Sequence, residues 1–242
     1  MITLFTDFGI QGPYTGQLRA VLLDLCPEIP HLELFSDLPV QNVRASAYLL
    51  PAYTSCLPEH TVNLCIVDPG VGGERKALAI KADRQWFVGP DNGLFSLIVR
   101  RAEQHEIRQI TWRPDSLSSS FHGRDLFAPV AAMLASGRSL PDRRIEMAEI
   151  CLPDWPEDLY EIIYIDRYGN AITGVRARQI DRRAILRVAG QSLSYARTFC
   201  EQEEGQCFWY ENSNGLIEIA ANRTSASELL GLQIADPIDP DG

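Results

Sequence analysis

No apolar run in this 242-residue chain reaches the roughly 18 residues needed to cross a bilayer. Positive charge is also in short supply, since 22 Lys and Arg face 32 Asp and Glu and leave a formal charge of −10. The basic doublets Arg100-Arg101, Arg143-Arg144 and Arg182-Arg183 each have an acidic neighbour close in sequence and read as solvated faces. Without a basic stripe, no surface suits a nucleic-acid backbone. The N-terminal MITLFTDFG has no basic segment ahead of its apolar stretch, so no secretory signal is read there and a cytoplasmic protein is expected. Cysteine is sparse as well. Cys26, Cys56, Cys65, Cys151, Cys200 and Cys207 form no Cys-x-x-Cys or Cys/His cluster and are too few for a disulfide scaffold, so they read as ordinary buried or half-buried thiols. No internal repeat and no low-complexity tract occurs.

What is present is a globular balance, 45% hydrophobic and 22% charged. The first part alternates strand-like and helix-like stretches. ITLFTDF reads as a buried strand, and GQLRAVLLDLCP as a helix with Leu18, Val21, Leu22 and Leu25 on one face, closed by Pro27. HLELFSD and TVNLCIVDPG read as strands around a helix, VRASAYLLPAYTSC. LAIKA and QWFVGPDNG suggest a hairpin-like pair, LFSLIVRRAEQ a helix, and residues 129–136 a helix closed by Gly137. CLPDWPEDLY, rich in Pro and acid, reads as a connection. Beyond it EIIYID, AILRVAG, QSLSYA, CFWYE and GLIEIAA are short and strand-like, SASELLG is helical, and the tail DPIDPDG is expected to fray. The expected fold class is α/β: a three-layer α/β domain with a mostly parallel sheet over residues 1–150, and a smaller all-β domain, barrel-like or a sandwich, over 157–242.

Ligands of parallel α/β sheets bind outside the carboxyl ends of the strands, so the chemistry is sought in strand-to-loop junctions. Three stand out. In TDFG, Asp7 follows a strand directly and could accept from a vicinal diol such as a ribose, or cap the next turn. In VDPGVGGER, Asp68 ends the most apolar strand, Gly70, Gly72 and Gly73 allow close approach, and Arg75 follows seven residues on, near enough to fold back on Asp68. No Gly-Lys-Ser/Thr follows, so this is not a phosphate loop. A glycine turn with a surface ion pair is the plainer alternative. In SSFHGRDLFAP, His122 and Arg124 flank a glycine, with Asp125 placed as a cap or first-turn acid. An Asp, an Arg and a His in three Gly-rich loops can orient and polarise a water. In the second part, DRYGNAITG and WYENSNGLIEIAAN carry Asp166, Tyr168, Asn170, Ser213 and Glu218, which good hairpin turns would also explain.

Taken in order, TDFG, VDPGVG with Arg75, PDNGL, FHGRD-x-FAP, D-x-YGN and NS-x-G-L-x-EIA-x-N resemble the adenosine-forming S-adenosylmethionine (SAM) hydrolases, or SAM hydroxide adenosyltransferases. This family is related to the fluorinase and chlorinase. The resemblance implies a homotrimer whose active sites lie between one subunit's N-terminal domain and its neighbour's C-terminal domain. It places a catalytic triad on Asp68, Arg75 and His122 and a ribose-binding carboxylate on Asp7. Apolar walls fall on Phe8 and Phe121. Adenine and methionine contacts fall on Asp166, Tyr168, Asn170, Ser213, Glu218 and the backbone near Ala221. Two positions depart from the family's habit: Gly174, where a second Asn is common, and Ser36, where a His is common.

The chemistry implied is attack of water on the ribose 5'-carbon, giving adenosine and L-methionine. The leaving group is a neutral thioether and needs no acid. Asp68 and His122 would orient and deprotonate the water while Arg75 holds Asp68. No metal and no cofactor is expected, SAM being the substrate. The alternatives are a SAM-dependent halogenase, whose related members have Tyr-Ser where this chain has His122-Gly123, and a non-catalytic SAM or adenosine sensor. A metal-dependent hydrolase built on Asp7, Asp68, His122 and Asp125 is a further alternative, though no His pair stands at metal-ligand spacing.

Overall fold

A computed structural model describes residues 1–240, and the last two residues of the tail motif lie outside the described ones. By its internal contacts the chain divides into two units, 1–51 with 57–154 and 52–56 with 155–242. Among the described residues no helix is long and apolar enough to cross a membrane.

The first unit begins with β1 (Ile2–Thr6), α1 (Tyr14–Leu25), β2 (His31–Phe35), α2 (Val43–Thr54, its last turn grouped with the second unit) and β3 (Val62–Ile66). β4 (Ala77–Ala82), β5 (Gln85–Pro90), α3 (Ser96–Arg101), β6 (His105–Ile110), α4 (Ala128–Ala135) and β7 (Asp142–Ile145) complete it. Its seven-stranded sheet has the order β2-β1-β3-β5-β4-β6-β7. β2, β1, β3 and β5 pair parallel, β4 is antiparallel to β5 and to β6, and β7 is antiparallel to β6. β6 therefore points the same way as the parallel four, and five of the seven strands share one direction.

β1 and β3 are buried at every residue, as strands covered on both faces are. Ile2, Leu4, Leu64 and Ile66 share one core with Leu18 and Leu22 of α1 and Val130, Ala131 and Ala132 of α4. The α1 stripe is narrower than its spacing suggests, for Leu25 is exposed; the chain turns away at Cys26, before the helix could press that residue on the sheet. β4 and β5 form the expected hairpin across Asp83 and Arg84, with Asp83 taking the left-handed turn conformation. α4 is closed by Gly137, just past its C-cap, whose φ of 66° lets Arg138 N–H reach back to Met133 O. β6 and β7 carry too many charged residues to stand out in the sequence. They pair at the sheet's end, where one face meets solvent.

The second unit holds β8 (Leu159–Ile165), β9 (Ala171–Arg176), β10 (Leu186–Val188), β11 (Gln191–Leu193), β12 (Cys207–Glu211), β13 (Leu216–Ala221) and α5 (Ala226–Leu230). An antiparallel sheet of order β12-β13-β9-β8 accompanies the ribbon β10-β11. Among the described residues the named strands pair as this open ladder and ribbon, without a closed barrel ladder. Ile162, Val175, Leu186, Val188, Trp209, Ile217 and Ile219 build its core. The apolar CFWY stretch is largely core: Phe208 and Trp209 are buried, and the Trp209 indole N–H donates to Ala184 O at 3.2 Å. Gly174 of β9 has a packing reason, because a Cβ there would lie 2.6 Å from the Leu159 Cβ.

Two further sequence expectations need correction. The tail does not fray up to Asp239: Ile162 N–H donates to Asp236 O at 2.9 Å, Ile238 is buried, and Arg187 and Asp239 exchange both backbone hydrogen bonds. The burial of Ile238 and the paired backbone outweigh the two prolines. Nor are all six thiols sheltered, because Cys56, Cys151 and Cys200 are exposed.

Candidate active site

The order β2-β1-β3 contains a reversal. The chain leaves β1 for one side, forms β2, and returns to form β3 on the other side. At such a switch point the loops after the two central strands diverge and open a crevice at their carboxyl ends. Asp7 follows β1 immediately, and Asp68 follows β3 after Val67. Topology alone therefore puts both carboxylates at one crevice. They line an open cleft with Phe8, Phe121, His122 and Gly123.

The loop after Asp68 folds back through Val71 N–H to Asp68 O (3.2 Å) and Gly73 N–H to Gly70 O (3.0 Å). Gly72 has a φ of 79°, and a Cβ on it would stand 2.3 Å from Ser119 O. Only glycine fits there, and the close approach joins this loop to the segment that carries His122. The return brings Arg75 onto Asp68, with Nε donating to Oδ1 at 2.7 Å and to Oδ2 at 2.9 Å, and Nη2 donating to Oδ2. The side chains are only 10% and 5% exposed, so the pair is nearly dry. Arg75 also lies over the Phe127 ring, its Cζ 5.3 Å from the centroid. Asn92 of the PDNGL motif braces the same point: its side-chain amide donates to Val67 O at 2.8 Å. Sequence reasoning gave Asn92 no role, and the motif itself was the available signal.

His122 precedes a π-turn over Gly123–Phe127, closed by Ala128 N–H donating to Gly123 O. Such turns replace α geometry where a side chain must be re-aimed. Gly123 admits the packing, since a Cβ there would lie 3.0 Å from Ile66 Cδ1 and 3.3 Å from Phe8. The Arg75 Nη2 lies 3.1 Å from the His122 Nδ1. A guanidinium can only donate, so Nδ1 is the acceptor and the proton of the neutral ring sits on Nε2. Burial first, and then the Arg75 charge, hold the imidazole below its ordinary value and keep it neutral. Asp7 is shifted upward, chiefly by burial, although Gln41 N–H donates to its Oδ2 at 2.8 Å; the nearby Asp68 charge adds to the rise.

Asp125, a possible metal ligand by sequence, is committed elsewhere. It accepts from Ser118 N–H at 2.9 Å and pairs with Arg124, which lowers its pKa. Phe8 and Phe121 meet at 5.7 Å between centroids, and Tyr14 packs edge-on against Phe121 at 5.4 Å. Tyr14 went unread in the sequence. Its only mark is an aromatic at the first position of α1, just after the glycine turn.

The remaining expected residues gather in the second unit. Asp166 organises its own turn, accepting from Tyr168 N–H (2.8 Å), Asn170 N–H (2.9 Å) and the Asn170 side-chain amide (3.1 Å). Tyr168 is 77% exposed. Glu218 is buried in β13 and accepts from the Tyr210 hydroxyl at 2.5 Å and from Asn212 Nδ2 at 2.9 Å. Burial raises its pKa against both hydrogen bonds. Tyr53 belongs to this group: burial, then Glu218 and Asp166, push its phenol up to about 12, while a hydrogen bond with Asn214 opposes the rise. Ser213 Oγ accepts from Asn214 at 3.3 Å, and Ala221 ends β13 opposite Cys207. Tyr210, Asn212 and Tyr53 were not among the expected residues; their marks in the sequence are those of core and turn positions.

Comparison with known proteins follows the same division. The SAM hydroxide adenosyltransferase N-terminal domain matches residues 2–143, and the corresponding C-terminal domain matches residues 160–239. A Thermus thermophilus protein named (R)-S-adenosyl-L-methionine hydrolase is 37% identical, with 98% of each chain covered. One of the same name from Salinispora arenicola is 32% identical over 98% of this chain and 96% of its own. The crystal structure of an uncharacterized conserved protein from Thermotoga maritima is similar with a TM-score of 0.89, at 30% identity and 98% coverage of both chains. The chain belongs to the SAM hydroxide adenosyltransferase family.

Proposed function

We propose that this protein hydrolyses S-adenosyl-L-methionine to adenosine and L-methionine. The observation that carries the reading is the Asp68–Arg75–His122 chain at the switch-point cleft, in a family whose similar members bear that hydrolase name. The water oxygen bonds to the 5'-carbon, the carbon–sulfur bond breaks, and its electron pair neutralises the sulfonium. One proton must leave the water.

The tautomer refines the roles expected from sequence. With Nδ1 engaged by Arg75, His122 offers Nε2–H, a donor that holds the attacking oxygen rather than a base that deprotonates it. Asp68 keeps acceptor capacity beside the Arg75 fork and takes the proton. Positioning supplies up to about 7–11 kcal/mol in well-oriented systems, and base assistance typically a further 10²–10⁴-fold. Asp7 serves the ribose diol, and Phe8 and Phe121 form apolar walls. Asp166, Tyr168, Asn170, Ser213, Glu218 and Ala221 serve the adenine and methionine ends. We assign the protein to the cytoplasm, as a homotrimer with sites shared between subunits and no cofactor; the family resemblance supports the assembly, and light scattering measures it.

The experiment is turnover of SAM in ¹⁸O-labelled water with and without chloride. Labelled adenosine, lost in Asp68→Ala and His122→Ala, is the expected result. A chloro-nucleoside would move the protein to the halogenases, and binding without turnover would make it a sensor.

A further inference from the structure

We propose that Gln41 is a positioning residue, whose backbone N–H, held on target by a left-handed conformation, fixes Asp7 for recognition of a vicinal diol. The proposal rests on the nucleoside reading of the cleft. Gln41 has a φ of 56°, which a residue with a Cβ seldom adopts, and its N–H donates to Asp7 Oδ2 at 2.8 Å. Both residues line the cleft.

The surrounding loop explains why the strained conformation persists. Leu38 N–H donates to Thr6 O at 3.2 Å and Gly9 N–H to Ser36 O at 2.5 Å, so the segment after β2 is stitched to the end of β1. Asn42 N–H closes a turn on Pro39 O at 3.0 Å, and the Asn42 side chain caps α2 by accepting from Ala45 N–H at 3.0 Å. Position 41 is thus wedged between a stitched loop and a helix cap, and the left-handed backbone turns its N–H towards the carboxylate. Strain that the surroundings over-determine is characteristic of ligand clamps. A carboxylate held through one oxygen cannot swing, yet both oxygens keep lone pairs for two neighbouring hydroxyls. A short helix-capping loop would not need this; Asn42 performs the capping unaided.

The test is calorimetric titration of the full-length protein with adenosine and with 2',3'-dideoxyadenosine, which lacks the diol. Wild type is expected to prefer adenosine by about tenfold or more, the worth of a hydrogen bond to a charged group. Gln41→Gly, which adopts a left-handed backbone freely, should keep that ratio although its side chain is gone. Gln41→Val, whose β-branched side chain resists it, should reduce the ratio to within about threefold; if it does not fold, Gln41→Thr, equally β-branched, gives the same reading. A valine or threonine variant with the full ratio, or a glycine variant without it, overturns the proposal while leaving the function intact. A wild type that binds neither nucleoside overturns both.

Discussion

The Arg75 guanidinium is shared between two partners: it grips Asp68 through Nε and Nη2 while the same Nη2 lies 3.1 Å from the His122 Nδ1. One planar fork therefore sets the carboxylate's orientation and the histidine's tautomer together. Lysine, a point charge on a flexible stem, could not do both. Arg75→Lys should lower kcat by roughly 10²-fold or more, the cost of losing a preorganised donor, with a smaller change in KM. Steady-state kinetics on folded protein checks this, and a kcat within a few-fold of wild type would remove Arg75 from the chemistry.

The pH dependence follows from His122, whose folded-state pKa is depressed below 6.5 mainly by burial. Activity should hold as pH falls through 6.5 and decline only below it, when Nδ1 takes a proton and meets Arg75 donor to donor. Stability has the same sign. Above 6.5 neither folded nor unfolded histidine is protonated; below it the unfolded chain binds the proton first, and stability falls until the folded value is reached. A kcat/KM profile against pH tests the first statement and denaturant unfolding tests the second.

His122→Gln separates donor from base. A side-chain amide donates but is no base at neutral pH. The variant should retain activity well above that of His122→Ala and lose the acidic decline. Equal inactivity of the two variants would restore the histidine to the role of base.

Gly72→Ala should act on both stability and rate. Its Cβ would meet Ser119 O at 2.3 Å on a backbone with φ of 79°. The left-handed penalty alone is about 1–2 kcal/mol. Separation of the two loops would also draw Arg75 from His122, so kcat should fall with unfolding stability. A variant as stable and active as wild type would show that the loops move independently.

In the second unit, Tyr210→Phe keeps the ring against Phe199 and Phe208 and removes one donor from buried Glu218. The expected loss is about 1.5–3 kcal/mol of stability, since the bond is to a charged group. Urea unfolding measures it, and no loss would mean that this bond does not support the fold.

Much of this molecule was written in local pattern. The largely apolar ITLFT and VNLCI runs read as strands covered on both faces, and the Leu18–Leu22 spacing could only pay off on a helix packed against them. Asp7, Asp68 and His122 were visible because each stands at a strand end or a glycine turn. Strands β6, β7 and β9 were not, because charge or glycine breaks their alternation and pairing with neighbours supplies what the sequence pattern lacks. The cleft is decided by order in the sheet: β1 and β3 lie 55 or more residues apart in sequence yet pair with Thr6 opposite Ile66, and no local pattern states which strands will be neighbours. The tautomer of His122 and the clamp of Gln41 on Asp7 are also tertiary facts. Each depends on an N–H and its acceptor brought together from distant loops, at distances that only the packed core determines.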